Sequence, residues 1–129
     1  MARVLVIDDN EDLRELMQMM LEGAGYTIEL AADGQAGMAA QRAQPADLVV
    51  TDLFMPAQDG IETILQLRSE FPNVKVLAVS GGGKVSQAQS YLQIAKQIGA
   101  DAILSKPFEQ EDLLRTVREL LGPADASSS

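Results

Sequence analysis

Residues 4–30 read VLVIDDNEDLRELMQMMLEGAGYTIEL, and three patterns follow one another within them. Residues 4–7 form a continuous apolar run rich in β-branched side chains, the composition of a strand covered on both faces, and Asp8-Asp9 cuts it short. Leu13, Leu16, Met17, Met20 and Leu21 then recur at helical spacing, with Gly23 and Gly25 as stop signals. Tyr26, Ile28 and Leu30 alternate with Thr27 and Glu29, which predicts a strand at a sheet edge. The stretch is a βαβ unit.

The same succession continues to the end of the chain. Apolar runs at 48–50, 76–79 and 102–104 repeat the pattern of a strand covered on both faces. Between and after them lie helical spacings: Ala36, Ala39, Ala40 and Ala43 as a small-residue face; Ile61, Ile64 and Leu65 after Asp59-Gly60; Ala88, Leu92 and Ala95; and Leu113, Val117 and Leu120. The order is βαβαβαβαβα. Short connections in such an order imply right-handed crossovers and a doubly wound α/β sheet. One domain over residues 1–121 is expected, followed by a disordered tail at 122–129, where Pro123 and three terminal serines have nothing to pack.

Composition narrows the chemistry. With 129 residues, 47% hydrophobic and 22% charged, the chain suits a single globular domain and carries no run long enough to span a membrane. Ten basic against nineteen acidic residues give a net charge of −9, which repels nucleic acid and anionic lipid. The absence of cysteine and histidine removes thiol nucleophiles, disulfides, the usual zinc sites and any Ser-His pair. Residues 1–7 lack the length and cleavage signature of a secretory signal, so a cytoplasmic location is expected. Carboxylates, hydroxyls and lysines are left to do the work.

In an open parallel sheet, ligands bind beyond the carboxyl ends of the strands. The first strand delivers Asp8-Asp9 there, the third Asp52, the fourth Ser80 and the fifth Lys106-Pro107. Each residue singly has a plain explanation as a helix cap, a turn former or a solvated lysine. Their convergence on one rim does not. Carboxylates about 5 Å apart repel by roughly 3 kcal/mol per pair at an effective dielectric near 20, so three of them would raise one another's pKa or recruit a cation. Magnesium suits a site of one or two carboxylates, a carbonyl and waters, with a position left for a phosphoryl oxygen. Lys106 then offers a point charge to a second oxygen and Ser80 a hydrogen bond to a third.

The segments VLVIDDN (4–10), DLVVTDLFMPAQDG (47–60), LAVSGGG (77–83) and ILSKPF (103–108) together resemble the successive motifs of the response-regulator receiver domain of two-component signalling, over residues 3–121. The resemblance implies a flavodoxin-like sheet in the order 2-1-3-4-5, with Asp52 as phosphoacceptor, Ser80 as switch hydroxyl and Lys106 as the site lysine. Asp9, Asp52 and the backbone carbonyl of Phe54 would be direct Mg2+ ligands, with Asp8 acting through water. The implied partner is a sensor histidine kinase or histidine phosphotransfer protein, docking on the fifth helix and the rim of the site. Beyond its own phosphorylation and dephosphorylation such a domain is not an enzyme. It is expected as a monomer or as a weak homodimer through the last strand and the fourth and fifth helices, near Tyr91.

Three positions depart from the commonest family pattern. Ile103 stands where Tyr or Phe is usual, Phe54 stands where a small or polar residue is common, and Ser80 is followed by Gly81, Gly82 and Gly83 in a long loop expected to be mobile. Switching is therefore expected through Ser80 and the Gly81-Gly82 loop, with Ile103 making no polar contact. Other readings fare worse. A phosphate loop would need Gly at 78 and Ser or Thr at 85, where Ala78 and Val85 stand, and a dinucleotide fingerprint fails at Ser86. A dehalogenase-type phosphotransferase would want an aspartate in place of Phe54. The remaining alternatives are a receiver fold used only for docking, without phosphorylation, and a receiver cut from a hybrid kinase.

Overall fold

The computed structural model describes residues 2–53, 60–80, 93–106 and 108–122. Phe54, Gly81, Gly82, Gly83, Ala88, Tyr91, Leu92, Pro107 and the tail from Pro123 lie outside the described residues. The elements follow in the order β1 (Arg3–Ile7), α1 (Glu11–Gly23), β2 (Thr27–Ala31), α2 (Gly34–Ala43), β3 (Leu48–Asp52), α3 (Gly60–Glu70) and β4 (Lys75–Ser80). Helix α4 is described over 93–98. β5 (Ala102–Ser105) and α5 (Gln110–Leu121) complete the chain. All strands are parallel, in the order β2-β1-β3-β4-β5 expected from the sequence.

The period-two geometry of the strands sorts their side chains into two cores. Leu5, Ile7 and Val49 pack with Met38 of α2, Ile64 and Leu67 of α3 and Ala95 of α4 on one face. Val4, Val6 and Val50 pack with Met17 and Leu21 of α1 and Leu113 and Val117 of α5 on the other. Burying each large aliphatic side chain contributes roughly 1.5–3 kcal/mol, so these layers, rather than the loops, hold the sheet in place.

Register then aligns the carboxyl ends. Ile7 lies opposite Thr51, Asp52 opposite Val79 and Ser80 opposite Ser105. Asp8, Asp52, Ser80 and Lys106 consequently leave the sheet within about one residue of a common edge.

Two sequence expectations need correction. Of the α2 alanines Ala40 packs against the core, but Ala36, Ala39 and Ala43 are exposed, and the buried stripe is Gly34, Gly37, Met38 and Gln41. A Cβ on Gly37 would stand 2.3 Å from Ile7 Cδ1, so this helix approaches β1 more closely than an alanine there would allow. Gln41 is buried because its amide serves the backbone, accepting from the Ala46 N–H at 2.9 Å and donating to the Ala46 carbonyl at 3.3 Å. The second correction concerns β5, which is not covered on both faces. It is an edge strand with Ile103 and Ser105 exposed.

Two long-range clasps close the fold. Arg68 donates to the carbonyls of Gly99 at 2.7 Å, Val74 at 2.7 Å and Pro72 at 3.1 Å, and pairs with Asp101, which also accepts the Val76 N–H at 2.8 Å. These bonds satisfy the carbonyls that the turns after α3 and α4 leave unpaired. On the other side of the sheet, the buried Tyr26 hydroxyl donates to the Gly122 carbonyl at 3.3 Å, joining the start of β2 to the cap of α5.

Burial raises the Tyr26 phenol above its ordinary pKa of 10.0, and the charge of Arg118 opposes this only in part. The folded chain therefore keeps a proton that the unfolded chain releases above pH 10.0. That contribution to stability is complete below the unfolded pKa and is lost as pH rises through the raised one. Tyr26→Phe is expected to cost about 0.5–1.5 kcal/mol at neutral pH. Urea unfolding followed by circular dichroism should show the gap to the wild type narrowing at alkaline pH; a gap that widened would contradict this assignment.

Candidate functional site

The rim of the sheet gathers the residues that the sequence singled out. Asp8, Asp9 and Asp52 each bring a carboxylate oxygen within 4.8 Å of the other two, with Asp8 and Asp52 buried and Asp9 exposed. At that separation each pair of charges repels by about 3.5 kcal/mol at an effective dielectric near 20. Lys106 answers part of this. Its Nζ donates to Asp8 Oδ2 at 3.3 Å and to Asp52 Oδ2 at 3.2 Å. The lysine side chain is 21% exposed, against 1% and 6% for the two carboxylates, so the contact is largely withdrawn from solvent. Two of the three carboxylates thus share the Lys106 ammonium, and the third, Asp9, stands beside them.

Each member is placed by its strand. Asp8 continues β1, its N–H donating to the Ala31 carbonyl at 3.1 Å, and its Oδ1 accepts the Asn10 N–H at 2.8 Å. Asn10 caps α1 by accepting the Leu13 N–H, with Glu11 and Asp12 in the first turn facing the positive end of the helix. Lys106 follows β5, and its N–H donates to the Ser80 carbonyl at 2.7 Å. Asp52 is the last residue of β3.

Ser80 ends β4 at the same edge. Its Oγ is fully buried and has no hydrogen-bond partner among the described residues. An unsatisfied buried hydroxyl costs about 1–3 kcal/mol, and native folds keep few of them without a use. Ile103, on the neighbouring edge strand β5, is 36% exposed. Phe54, Gly81 and Gly82, also expected at the site, lie outside the described residues.

Sequence reasoning missed two contributors. Arg14 of α1 reaches back to donate from Nη1 to the Asp8 backbone carbonyl at 2.6 Å. A cation in the first turn of a helix runs against the helix dipole, and that misplacement is a signal the sequence does carry. Gly60, at the start of α3, lies against the peptide that follows Asp52: a Cβ there would stand 2.2 Å from the Asp52 carbonyl oxygen and 2.7 Å from Leu53 Cα. Its N–H also donates to the Leu53 carbonyl at 3.3 Å.

A parallel sheet in this order, with an acidic trio and a lysine at its carboxyl edge, defines a flavodoxin-like receiver architecture. Comparison with known proteins agrees. The family model of the response regulator receiver domain matches residues 4–118, and the chain belongs to that family, the receiver domains of two-component response regulators. The chain is 38% identical over 120 residues to the response regulator MprA of Mycolicibacterium vanbaalenii, an alignment covering 93% of this chain and 50% of that protein. It thus spans about half the length of the curated relatives it matches. Among solved structures, a CheY-like receiver domain protein of Methanospirillum hungatei is similar at a TM-score of 0.86, with 26% identity and 98% of each chain covered. The chemotaxis protein CheY4 of Vibrio cholerae is similar at 0.82, with 31% identity, 93% of this chain and 98% of that one covered.

The Gly60 contact yields a direct test. Its neighbours are backbone atoms that cannot rotate away, so Gly60→Ala is expected to destabilise the fold by about 1–3 kcal/mol. The accompanying change should centre on the amides of Asp52 and Leu53 in a two-dimensional NMR spectrum; unperturbed amides at both positions would show that α3 shifts instead.

Proposed function

We propose that this receiver domain accepts a phosphoryl group on Asp52 from a phosphohistidine of a sensor kinase or phosphotransfer protein, and signals to protein partners through the change that follows. The observation that carries this reading is the Lys106 ammonium shared between Asp8 and Asp52 within a carboxylate trio, at the same sheet edge as a buried Ser80 hydroxyl that has no partner among the described residues. One carboxylate oxygen of Asp52 forms a bond to phosphorus as the bond from phosphorus to the donor imidazole nitrogen breaks, and that nitrogen leaves with the electron pair. The product is an acyl phosphate. Lys106 offsets charge on the transferring group, and Ser80 donates its hydroxyl to one of the new oxygens. No redox partner is needed.

The donor set fits a hard divalent cation: carboxylate oxygens from Asp8, Asp9 and Asp52 lie together, and one lysine leaves them under-compensated. Asp9, Asp52 and the Phe54 carbonyl would hold Mg2+ directly, and Asp8 through water. When bound, the ion supplies positive charge toward the phosphoryl oxygens. The burial and the commitments of Asp8, against the exposure of Asp9, support that division. Catalysis is confined to the domain's own phosphorylation and dephosphorylation. No helix among the described residues is long and apolar enough to cross a membrane, and the domain is proposed to act in the cytoplasm, as a monomer or weak homodimer.

Asp52→Asn is expected to abolish labelling by acetyl phosphate or a phosphohistidine donor while circular dichroism reports an intact fold. Residual labelling at the wild-type level would move the acceptor elsewhere. Magnesium should raise the melting temperature of the wild type by mass action. Calorimetric titration should find that Asp9→Ala weakens Mg2+ binding more than Asp8→Ala does; the reverse order would exchange the two roles.

A further inference from the structure

We propose that Arg14 is a positioning residue for the loop that presents Asp9: by holding the Asp8 carbonyl, its guanidinium sets the direction in which the Asp9 carboxylate is offered to a divalent cation. The inference rests on the reading that Asp9 helps to hold magnesium.

Asp8 and Asp9 are anchored very differently. The Asp8 N–H is bonded to Ala31, its Oδ1 to the Asn10 N–H, its Oδ2 to Lys106 and its carbonyl to Arg14. The Asp9 carboxylate is exposed and has no partner among the described residues. Its direction is therefore inherited from the backbone. The peptide bond is planar, so a donor that fixes the Asp8 carbonyl oxygen also fixes the Asp9 N–H and Cα in the same plane. Arg14 does this over 2.6 Å from a partly buried position. β1 ends at Ile7, so the Asp8 carbonyl lies past the ladder and takes its partner from a side chain.

The placement of Arg14 adds a second argument. The first turn of α1 is otherwise acidic, with Glu11 and Asp12, as the helix dipole favours. A cation in that turn is electrostatically disfavoured, and residues that break a local rule tend to serve a site. Groups that orient metal ligands without touching the metal typically govern affinity by about 10–100-fold.

Charge and positioning predict opposite signs, which makes the inference testable. Removing a cation beside an acidic site should, by Coulomb attraction alone, tighten binding of a divalent cation. Loss of positioning should weaken it. The full chain and its Arg14→Met and Arg14→Lys variants would be titrated with MgCl2, following amide shifts and heat. Arg14→Met is expected to weaken Mg2+ binding about ten-fold. Arg14→Lys, which keeps the charge and one donor, should fall between the two. In EDTA, Arg14→Met should move the Asp9 and Asn10 amides while those of β4 and α5 stay in place. Unchanged or tighter Mg2+ binding in Arg14→Met would overturn the inference, as would lower stability in EDTA with unaltered affinity. If Arg14→Met does not fold, Arg14→Lys decides: affinity equal to the wild type counts against positioning by the guanidinium. Failure of the wild type itself to bind Mg2+ would overturn the underlying reading, and this inference with it.

Discussion

The ammonium of Lys106, set between Asp8 and Asp52, is the contact on which the site depends. Two buried carboxylates at the end of neighbouring strands are costly, and truncating one partner of such a buried pair typically costs about 3–5 kcal/mol. Lys106 relieves the conflict only in part, since Asp9 adds a third negative group within 4.8 Å of the other two. That clustering of carboxylates around one ammonium is what supports the proposed cation site. The fold maintains that imbalance because the strands are fixed by two apolar layers and cannot splay to separate the charges.

Sheet topology explains how distant parts of the chain share one lysine. Asp8 and Lys106 are 98 positions apart, and Asp52 and Lys106 are 54 apart. Parallel crossovers bring the carboxyl end of every strand to the same side, and the observed register keeps those ends level. The helices serve the same end. At Gly37 α2 closes on the Ile7 side chain, and at Gly60 α3 closes on the Asp52 peptide backbone, so a glycine sits against each of two strands that carry the acids.

The architecture and the positions of the rim residues were legible in the sequence because their signals are local. Apolar runs such as 4–7 mark covered strands, and polar residues at their ends mark the rim. What the sequence did not reveal depends on contacts between remote residues or on space. The buried stripe of α2 was misread because alanine counts as apolar, whereas the helix packs through two glycines, Met38 and a glutamine satisfied by the backbone of Ala46. The exposure of β5 is a matter of strand order, since an apolar tetrapeptide reads alike at an edge and in the centre. The Arg68 clasp joins partners 31 and 33 positions away, which no periodicity encodes. Ser80 stands at the rim as the sequence indicated, but that its hydroxyl lacks a partner among the described residues follows only from three-dimensional packing.

That hydroxyl also bounds how much signal the proposed phosphorylation can produce alone. A new acceptor oxygen beside Ser80 gives a charge-assisted hydrogen bond, worth about 1.5–3 kcal/mol, and removes the cost of an unsatisfied buried group. Moving a two-state element from 1:99 to 99:1 requires about 5.5 kcal/mol of differential interaction. Ile103 has no polar atom with which to add a further bond, and its exposed position on the edge strand offers only apolar surface. Over most of that range, the proposed phosphorylation alone would shift the equilibrium part of the way. Under the proposed function, the remainder would come from a partner that binds the shifted form more tightly, and the phosphoryl group and that partner would each strengthen the binding of the other.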